Sequence, residues 1–559
     1  MSDAHGHELT FVQKYVFSQD HKVIGMQYLI TGLLMLIIGV FLSYVFRFNL
    51  AFPGENIPLF GELVAKKYNE FVTMHGTIMI FWVAMPVLVA AFGNLLIPLM
   101  VGYEDMAFPW LNMLSYWIFL FSTIVLISSF FVTNGSFDGG WTAYPPLSAN
   151  AYKDIPFLDS LGGTLWLVAV ALEFVAFLMG GINFIVTTFN CRAKGLSWYR
   201  LPITVWMFLL AILDFMFSVG PLLAGCIMLL MDRTLGTGFY NPAVGGDPVL
   251  FQHMFWFFGH PEVYVLLFPA LGFVAEIITT FARKTMFAYK AIIWSSIVAS
   301  ILAFVVWAHH QFISGIDPRM ATFFAITTII ISIPFAINII SYIATLYKGS
   351  IVFTTQMLFA LGFLVTFLVG GITGIYLGSS AFDIYAHDTY FVIAHFHYTM
   401  IPIVIFGSFA GIYHWYPKFI GRLLNPTLGK IHFWFTFIGF NLIFLPLFIN
   451  GLCGQHRRIF NYSSFPDLMS DQMMSIRVLA TSALIFTIIG QIPFIYNLFS
   501  SVKKGEIAGD NPWNSNSLEW ATSSPPPHLN FKTPPEVFRG PYEYSHPDRE
   551  SDFWPQNEK

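Results

Sequence analysis

The chain has 559 residues, of which 56% are hydrophobic and only 10% are charged. Soluble domains carry about a quarter charged residues, so most of this surface is suited to lipid rather than to water. The net charge of −4 gives no reason to expect nucleic acid as a partner. The cysteines, Cys191, Cys226 and Cys453, are widely separated, which excludes a disulfide framework and a thiolate metal cluster.

These properties predict an all-α integral membrane protein. The polar N-terminus lacks the basic-then-apolar pattern of a cleaved signal, so the first apolar segment is expected to be a true span. About 20 apolar residues cross a bilayer. Runs of this length, about twelve in number, begin near Ile24, Val72, Leu114, Gly162, Ile203, Val249, Ala291, Thr322, Phe353, Asp388, Ile431 and Val478.

The predicted organisation has three parts. Residues 1–23 form an N-terminal cytoplasmic segment, residues 24–502 form the membrane core, and residues 503–559, rich in Pro and Ser, form an extended cytoplasmic tail. Lys and Arg are more frequent in the connections on the side of the N-terminus, and this excess predicts that both termini lie inside.

Histidines within the apolar spans are the main functional signal. They are His75, His260, His309, His310, His395 and His397. A single intramembrane histidine could equally be a hydrogen-bonded core residue or a functional one. Six of them indicate a functional site, because each histidine is costly in lipid. Three imidazoles without thiolate or carboxylate suit copper, iron or zinc. Paired histidines on facing helices suit a six-coordinate heme.

The spacing of these residues limits their roles. His395 and His397 lie about 200° apart around one helix, so they can serve two different centres. His260 and Tyr264 are four residues apart and share a face. The adjacent His309 and His310 can both reach one metal only near a helix irregularity or at a helix crossing.

Several motifs resemble subunit I of cytochrome c oxidase and its heme–copper relatives, over essentially the whole chain. They are HPEVY, VWAHHQF, HDTYFVIAHFHY, GGWTAYPPLS, EDMAFP and LEW…SPPP. The resemblance implies the helical bundle of that family, two hemes, expected to be heme A, and one copper ion. It assigns His75 and His397 to the low-spin heme, His395 to the high-spin heme, and His260, His309 and His310 to copper. It places Tyr264 at a tyrosine that donates an electron and a proton during O–O cleavage.

The resemblance also assigns residues around the hemes. Arg457 and Arg458, with Trp141 alongside, match residues that hold heme propionates, and Arg47 matches an arginine beside the low-spin heme. His387 and Asp388 match ligands of a magnesium or manganese ion. From the residues alone, the arginine pair could be solvated charge at a membrane edge, and HDT could be a helix cap.

Oxygen reduction needs protons from the inner side. Glu262 is a costly mid-membrane carboxyl, and Asp105 lies at the predicted inner end of the second and third spans. The resemblance assigns Asp105 as the entrance and Glu262 as the branching donor of a proton path lined by Asn94, Asn112, Asn183 and Ser115. Interhelical hydrogen bonding explains the asparagines equally well.

The sequence departs from the family in its proton paths. Ala176 and Phe177 replace paired serines, and Asn338, Phe335 and Ala275 replace the lysine, threonine and serine of a second path. Acids occur within apolar spans instead, at Glu173, Asp214 and Glu276. Glu276 lies fourteen residues beyond Glu262, about 21 Å inward. Glu276 is the hypothetical substitute entrance; a helix-end carboxyl facing lipid headgroups is the alternative.

The leading hypothesis is reduction of O₂ to water by electrons from cytochrome c, with transmembrane proton movement. It implies a copper-bearing subunit II and a subunit III, in a bacterial cytoplasmic membrane or alternatively a mitochondrial inner membrane. A quinol oxidase is disfavoured, since Ile38, Leu42, Lys67 and Glu70 stand where that branch has its quinone site. A nitric oxide reductase needs no tyrosine such as Tyr264, and a transporter needs no such histidine sets.

Overall fold

The computed structural model describes residues 10–149 and 161–559, so residues 1–9 of the predicted N-terminal segment lie outside it. Within the described ranges the chain is helical, and only isolated β-bridges occur besides the helices. The membrane helices are α1 His21–Ala51, α2 Ala65–Val101, α3 Pro109–Phe131, α4 Leu161–Asn190, α5 Ile203–Thr234, α6 Pro248–Ala282, α7 Tyr289–Ala303, α8 Pro318–Leu346, α9 Thr355–Gly378, α10 Tyr390–Ile420, α11 Pro426–Leu452 and α12 Asp471–Lys504.

The predicted helical bundle is confirmed, with one difference in the seventh span. Eleven of the described helices are long and apolar enough to cross a membrane, whereas α7 is a shorter apolar helix of 15 residues. The chain leaves the α conformation at Phe304 and continues as a 3₁₀ helix over Trp307–Gln311. Hydrophobicity continues through this break, so the apolar pattern of the sequence does not reveal it. His309 and His310 lie on this irregular segment, which meets the condition for binding one metal together.

Helices α2 and α6 form the centre of the bundle. The most apolar windows of both are completely buried, whereas the corresponding window of α1 is 28% buried and shows a lipid-facing row that includes Ile30, Leu34 and Ile37. Residues on α2 and α6 are therefore shielded from lipid on every side. His75 lies on α2, and His260 and Tyr264 lie on α6.

Two of the central helices are irregular near the histidines. Helix α2 has π-helical geometry over Ile78–Ala91, around Pro86, just after His75. Helix α10 has the same geometry over Pro402–Gly407, just after His397. Segments of π-helix are rare and frequently occur at functional sites.

The C-terminal tail has little regular structure and packs closely on the bundle. Its only described helix is the 3₁₀ turn Leu518–Trp520. Asn530 is buried, and its side-chain oxygen lies 3.0 Å from Nε2 of His21 at the start of α1. Tyr542 is also buried and reaches α6. The tail therefore covers the end of the bundle at which α1 begins and α6 ends.

Candidate functional site

Three histidines converge at one point beside the centre of α6. The ligand atoms of His260, His309 and His310 all lie within 4.8 Å of one another. Among the described residues, this is the only set of three or more metal-ligating side chains that meets at one point. Both ring nitrogens of His260 and the Nε2 of His310 are buried and have no hydrogen-bond partner. Buried polar atoms are normally satisfied, so their lone pairs are free for a metal ion.

The ring of His309 is oriented by a residue on α8. Its Nδ1 lies 2.9 Å from Oγ1 of Thr328, which in turn donates a hydrogen bond to the carbonyl of Phe324 at 2.6 Å. The hydroxyl proton is thus committed to the carbonyl, so Thr328 accepts the Nδ1–H of His309. The neutral ring then carries its lone pair on Nε2. Such partners of metal-binding histidines fix the tautomer and the ring orientation.

Aromatic side chains enclose the three histidines. Trp256 stacks on His310 with a ring-centroid distance of 3.7 Å. The Trp256 indole N–H donates to the hydroxyl of Tyr144. Tyr264 packs against His260 with ring centroids 4.6 Å apart, as the four-residue spacing predicted. Phe335 stacks on the other side of Tyr264 at 5.0 Å.

His75 and His397 face one another across the bundle. His75 Nδ1 lies 2.8 Å from the carbonyl of Gly39, and His397 Nδ1 lies 2.8 Å from the carbonyl of Ile393. A carbonyl only accepts, so both rings carry the proton on Nδ1 and a lone pair on Nε2. The His397 ring lies within electrostatic range of His75 and Arg47. These two imidazoles would hold the iron of a heme bound in the cavity.

His395 points to the other side of α10, toward the three converging histidines. Its Nδ1 lies 3.1 Å from the carbonyl of Gly370, and it is within electrostatic range of His309. A Cβ at Gly374 would lie 3.0 Å from the His395 ring, so a glycine is needed for this close approach. His395 and His397 therefore have different surroundings on α10, and their assignment to two different centres stays a prediction.

A single cavity connects these residues. Its volume is about 1630 Å³, and its lining includes all six of the intramembrane histidines together with Arg47, Trp141, Arg457 and Arg458. A pocket for one small molecule measures about 300–1000 Å³, so this cavity is large enough for more than one sizeable cofactor. The unpartnered nitrogens, the fixed tautomers and the cavity volume all fit two hemes and a copper ion.

The predicted propionate residues lie at one edge of the cavity. Arg457 Nε donates to Oδ1 of Asp388 at 2.6 Å. Burial opposes ionisation of Asp388, but the charge and hydrogen bond of Arg457, together with the charges of His387 and Arg458, outweigh this effect and hold the pKa of the carboxyl below its usual value. Burial, with the neighbouring Arg457, lowers the pKa of Arg458 to about 10, so Arg458 stays cationic at neutral pH. Trp141 packs beside Trp256 at 6.0 Å.

His387 and Asp388 do not form a complete metal site within the described residues. His387 Nδ1 lies 2.8 Å from Oδ2 of Asp383, and Asp388 pairs with Arg457. Neither residue belongs to a set of three ligands in the described part of the chain. An ion at this position would need further ligands from outside the described residues.

The asparagines of the predicted proton path are brought together near Asp105. Asn112 Nδ2 donates to Oδ1 of Asn94 at 2.5 Å, and Asn183 forms two hydrogen bonds with the backbone of Phe108. Burial raises the pKa of the Asp105 carboxyl to about 7. The asparagines therefore link the helices, as the structural interpretation proposed, and they also lie along the predicted route.

A small cavity follows the asparagines. It has a volume of about 10 Å³, enough for about one water molecule, and is lined in part by Asn94, Ser115, Tyr28, Ala176 and Phe177. The Tyr28 hydroxyl lies 3.0 Å from Oγ of Ser115. The cavity thus reaches Ala176 and Phe177, the positions where the paired serines are missing.

Two acids lie beyond this cavity. Glu262 and Glu173 are both fully buried, and neither has a hydrogen-bond partner for its carboxyl oxygens. They lie within electrostatic range of each other. Sequence reasoning noted Glu173 only as an unusual acid. Glu173 lies four residues before Phe177, one turn along the same face of α4, and this spacing places it next to the altered part of the predicted proton path.

Glu276 does not face lipid headgroups, so the alternative interpretation for this residue is wrong. Its side chain is 3% exposed and accepts hydrogen bonds from Tyr542 Oη at 2.6 Å and Thr204 Oγ1 at 3.1 Å. The reason is the C-terminal tail, which covers the end of α6. No periodicity in the sequence indicates where the tail packs.

Comparisons with known proteins agree with this geometry. The profile of the family described as cytochrome C and quinol oxidase polypeptide I matches residues 23–489. The chain is 43% identical to the alternative cytochrome c oxidase subunit 1 of Bradyrhizobium diazoefficiens, over 99% of this chain and 94% of that protein. It is also 43% identical to cytochrome c oxidase subunit 1 of Synechocystis, over 95% and 92% of the two chains.

A solved structure shares the fold. A heme–copper terminal oxidase dimer superposes with a TM-score of 0.68, covering 87% of this chain and 85% of that chain at 19% identity. The family match spans most of the membrane core, and the relatives are aligned over nearly their full length. The chain therefore belongs to the family of cytochrome c and quinol oxidase polypeptide I.

Proposed function

We propose that this chain is the catalytic subunit of a respiratory oxidase that reduces O₂ to water with electrons from cytochrome c. The observation that carries the proposal is the convergence of His260, His309 and His310, with Tyr264 packed against His260. The relatives reported above are named cytochrome c oxidase subunits. When bound, the hemes and the copper ion supply the redox centres that pass electrons to oxygen.

Each histidine has a defined task in this proposal. His75 and His397 would hold the low-spin heme, His395 the high-spin heme, and the three converging histidines the copper ion. Hydrogen bonds from the rings of His75, His309, His395 and His397 support these roles, because they leave a lone pair available on the opposite nitrogen. Arg47, Arg457, Arg458 and Trp141 line the cavity and would surround the charged edges of the hemes.

Tyr264 would hold a proton and an electron at the site. Its phenol packs between His260 and Phe335, which orients the ring and excludes water. Protons for the reaction would come through Asp105, the asparagine group and the water-sized cavity to Glu262, which lies within electrostatic range of Glu173. This path is supported by the chain of contacts from Asn112 to Ser115 and by the burial of both glutamates.

The choice of cytochrome c over quinol rests on the first two helices. Leu42 on α1 is buried in the core, and Glu70 on α2 is fully buried and paired with Lys67 at 2.9 Å. These side chains are therefore committed to packing and to an ion pair, and none of them is free to bind a quinone ring.

The proposal extends to the assembly and its membrane. A subunit II with its own copper centre would deliver electrons, and His387 and Asp388 would hold magnesium or manganese together with ligands from another chain. A relative from Aeropyrum pernix is named heme–copper oxidase subunit I+III, which supports a subunit III as partner. We place the complex in a bacterial cytoplasmic membrane with both termini inside, and expect heme A in both sites.

The test is oxygen uptake by the purified complex. We expect uptake with reduced cytochrome c, and no uptake with a quinol in a parallel cell. Uptake with quinol alone would contradict the assigned donor. Consumption of nitric oxide without uptake of oxygen, in a preparation with intact hemes, would contradict the assigned substrate. Heme pigments, measured by their absorption, should be present in a preparation that retains the copper ion.

A further inference from the structure

Asp214 is an intramembrane acid for which the proposed function has no task so far. It lies on α5, its side chain is 1% exposed, and its Oδ1 accepts a hydrogen bond from the Ser300 hydroxyl of α7. Its second oxygen, Oδ2, is buried and has no hydrogen-bond partner. The carboxyl is within electrostatic range of Tyr264 on α6. Asp214 is therefore bonded to α7 and has a free carboxyl oxygen in the part of the bundle that also holds Tyr264.

A polar track leads from Ser300 toward the inner side. Ser296 lies four residues before Ser300, one turn or about 6 Å along the same face of α7. Its hydroxyl accepts a hydrogen bond from Asn338 Nδ2 of α8 at 3.0 Å. Asn338 Oδ1 in turn accepts from Ser295 Oγ at 2.9 Å. Ser296 and Asn338 are completely buried, so this track runs through the interior of the bundle.

The track continues to Glu276. Tyr342 lies one turn beyond Asn338 on α8, is completely buried, and donates its hydroxyl to the carbonyl of Leu271 at 3.1 Å. Tyr342 is within electrostatic range of Glu276. Glu276 is bound to Tyr542 of the C-terminal tail. Polar side chains therefore extend from the tail to Tyr264 between α5, α6, α7 and α8.

Phe335 closes the other approach to Tyr264. It stacks on the phenol at 5.0 Å with an interplanar angle of 20°, at the position where the family resemblance places a threonine. An apolar ring cannot relay a proton, so the face of Tyr264 toward α8 is blocked. Asp214, on α5, lies within electrostatic range of the same phenol.

A purely structural role does not account for the acid. A hydrogen bond between α5 and α7 needs only a neutral acceptor, and an ionisable group within a bilayer is expensive. We propose that Asp214, reached through Ser300, Ser296 and Asn338, passes protons from the inner side to the Tyr264 end of the site. This inference rests on the proposed function and assigns it a second proton path.

The transfers balance without an added reactant. The neutral carboxyl releases its proton toward Tyr264 and becomes a carboxylate, which then takes a proton from Ser300. The Ser300 hydroxyl would regain a proton through a water molecule bridging the one-turn gap to Ser296. Asn338 holds the Ser295 and Ser296 hydroxyls in place and does not titrate. Each proton delivered is consumed with one electron in the reduction of O₂ to water.

The test uses the whole complex reconstituted in lipid vesicles. Asp214→Asn keeps the size of the side chain and can still accept from Ser300. We expect proton uptake from the inner side during anaerobic reduction to slow by about 10²-fold, the lower range for losing a positioned proton donor. Heme and copper contents should equal those of the unchanged enzyme. The infrared difference spectrum between oxidised and reduced enzyme should lose a carboxylic-acid band.

Two serines next to Asp214 give a matched pair of variants. Ser300 donates to the Asp214 carboxyl, whereas Ser218 donates to the Asp214 backbone carbonyl at 2.7 Å. Ser300→Ala should slow proton uptake, and Ser218→Ala should not. If Asp214→Asn fails to bind its cofactors, this pair decides the question, because neither serine variant removes the acid.

Normal proton uptake and an unchanged infrared spectrum in Asp214→Asn would overturn the inference. Equal rates in Ser300→Ala and Ser218→Ala would also overturn it. Failure of the proposed function is a different result, because it would appear as absent oxygen uptake in the unchanged enzyme.

Discussion

Thr328→Val should weaken copper binding without affecting the hemes. Thr328 on α8 accepts the Nδ1–H of His309 at 2.9 Å, and valine has nearly the same shape but cannot accept a hydrogen bond. Without this acceptor, the His309 ring is free to change its tautomer or to rotate. Both changes reduce the time for which the Nε2 lone pair faces His260 and His310.

The expected loss follows from the number of contacts removed. One of the three imidazoles loses its supporting partner, and loss of such a partner costs about 10- to 100-fold in metal affinity. This range corresponds to about 1.4 to 2.7 kcal/mol. The second hydrogen bond of Thr328, to the Phe324 carbonyl, lies within α8 and does not touch a ligand. Its loss adds nothing to the change in affinity.

The assay is retention of copper against a graded concentration of chelator. Copper is measured by elemental analysis relative to heme iron in the purified complex, and the midpoint should fall about 10- to 100-fold in the variant. Thr327→Val is the matched control, because the Thr327 hydroxyl bonds only backbone carbonyls, including that of Val305 at 2.8 Å. Equal midpoints for the unchanged enzyme and Thr328→Val, or equal losses in both valine variants, would refute the reasoning.

Three further predictions concern electrons and protons. Tyr264→Phe should abolish oxygen uptake while the heme and copper contents stay unchanged; normal uptake would exclude the phenol from the chemistry. Because burial raises the pKa of Asp105 to about 7, this acid loses its proton as the pH rises through that value. Turnover limited by proton uptake should therefore fall over that range, and Asp105→Asn should remove this dependence together with most of the turnover. Glu276→Gln keeps an acceptor for Tyr542 but removes the acid, so proton uptake should slow; unchanged uptake would leave Glu276 a structural role only.

The bundle and the histidine positions could be predicted from the sequence because both depend on local patterns. Apolar runs mark the helices, and the spacing of His395 and His397 places them on opposite sides of α10. The break after α7 could not be predicted in this way, since apolar residues continue through it. The sequence indicates only that His309 and His310 can reach one metal if a helix irregularity is present, and it does not show that this break occurs.

The partners of the histidines lie beyond what the sequence indicates. Thr328 is 19 residues from His309 and on a different helix, and threonine is common within membrane helices. The partners of His75 and His395 are the carbonyls of Gly39 and Gly370, which every residue type carries. Only the fold reveals which of many equivalent groups meets an imidazole.

The departures in the proton paths are best understood around Tyr264. In a position-by-position comparison with the family, Phe335 and Asn338 replace the threonine and the lysine of the second proton path. Asp214 lies on another helix and has no evident relation to these replacements. In the fold, Phe335 covers one face of Tyr264, and the Asp214 carboxyl on α5 lies within electrostatic range of the same phenol. Asn338 stands at the position of the missing lysine and donates a hydrogen bond to Ser296 of α7. Ser296 lies one turn below Ser300, which donates to the Asp214 carboxyl. Phe335 thus blocks the approach to Tyr264 from α8, and Asp214 places a polar group near the same phenol on α5. The altered residues therefore lie together around Tyr264.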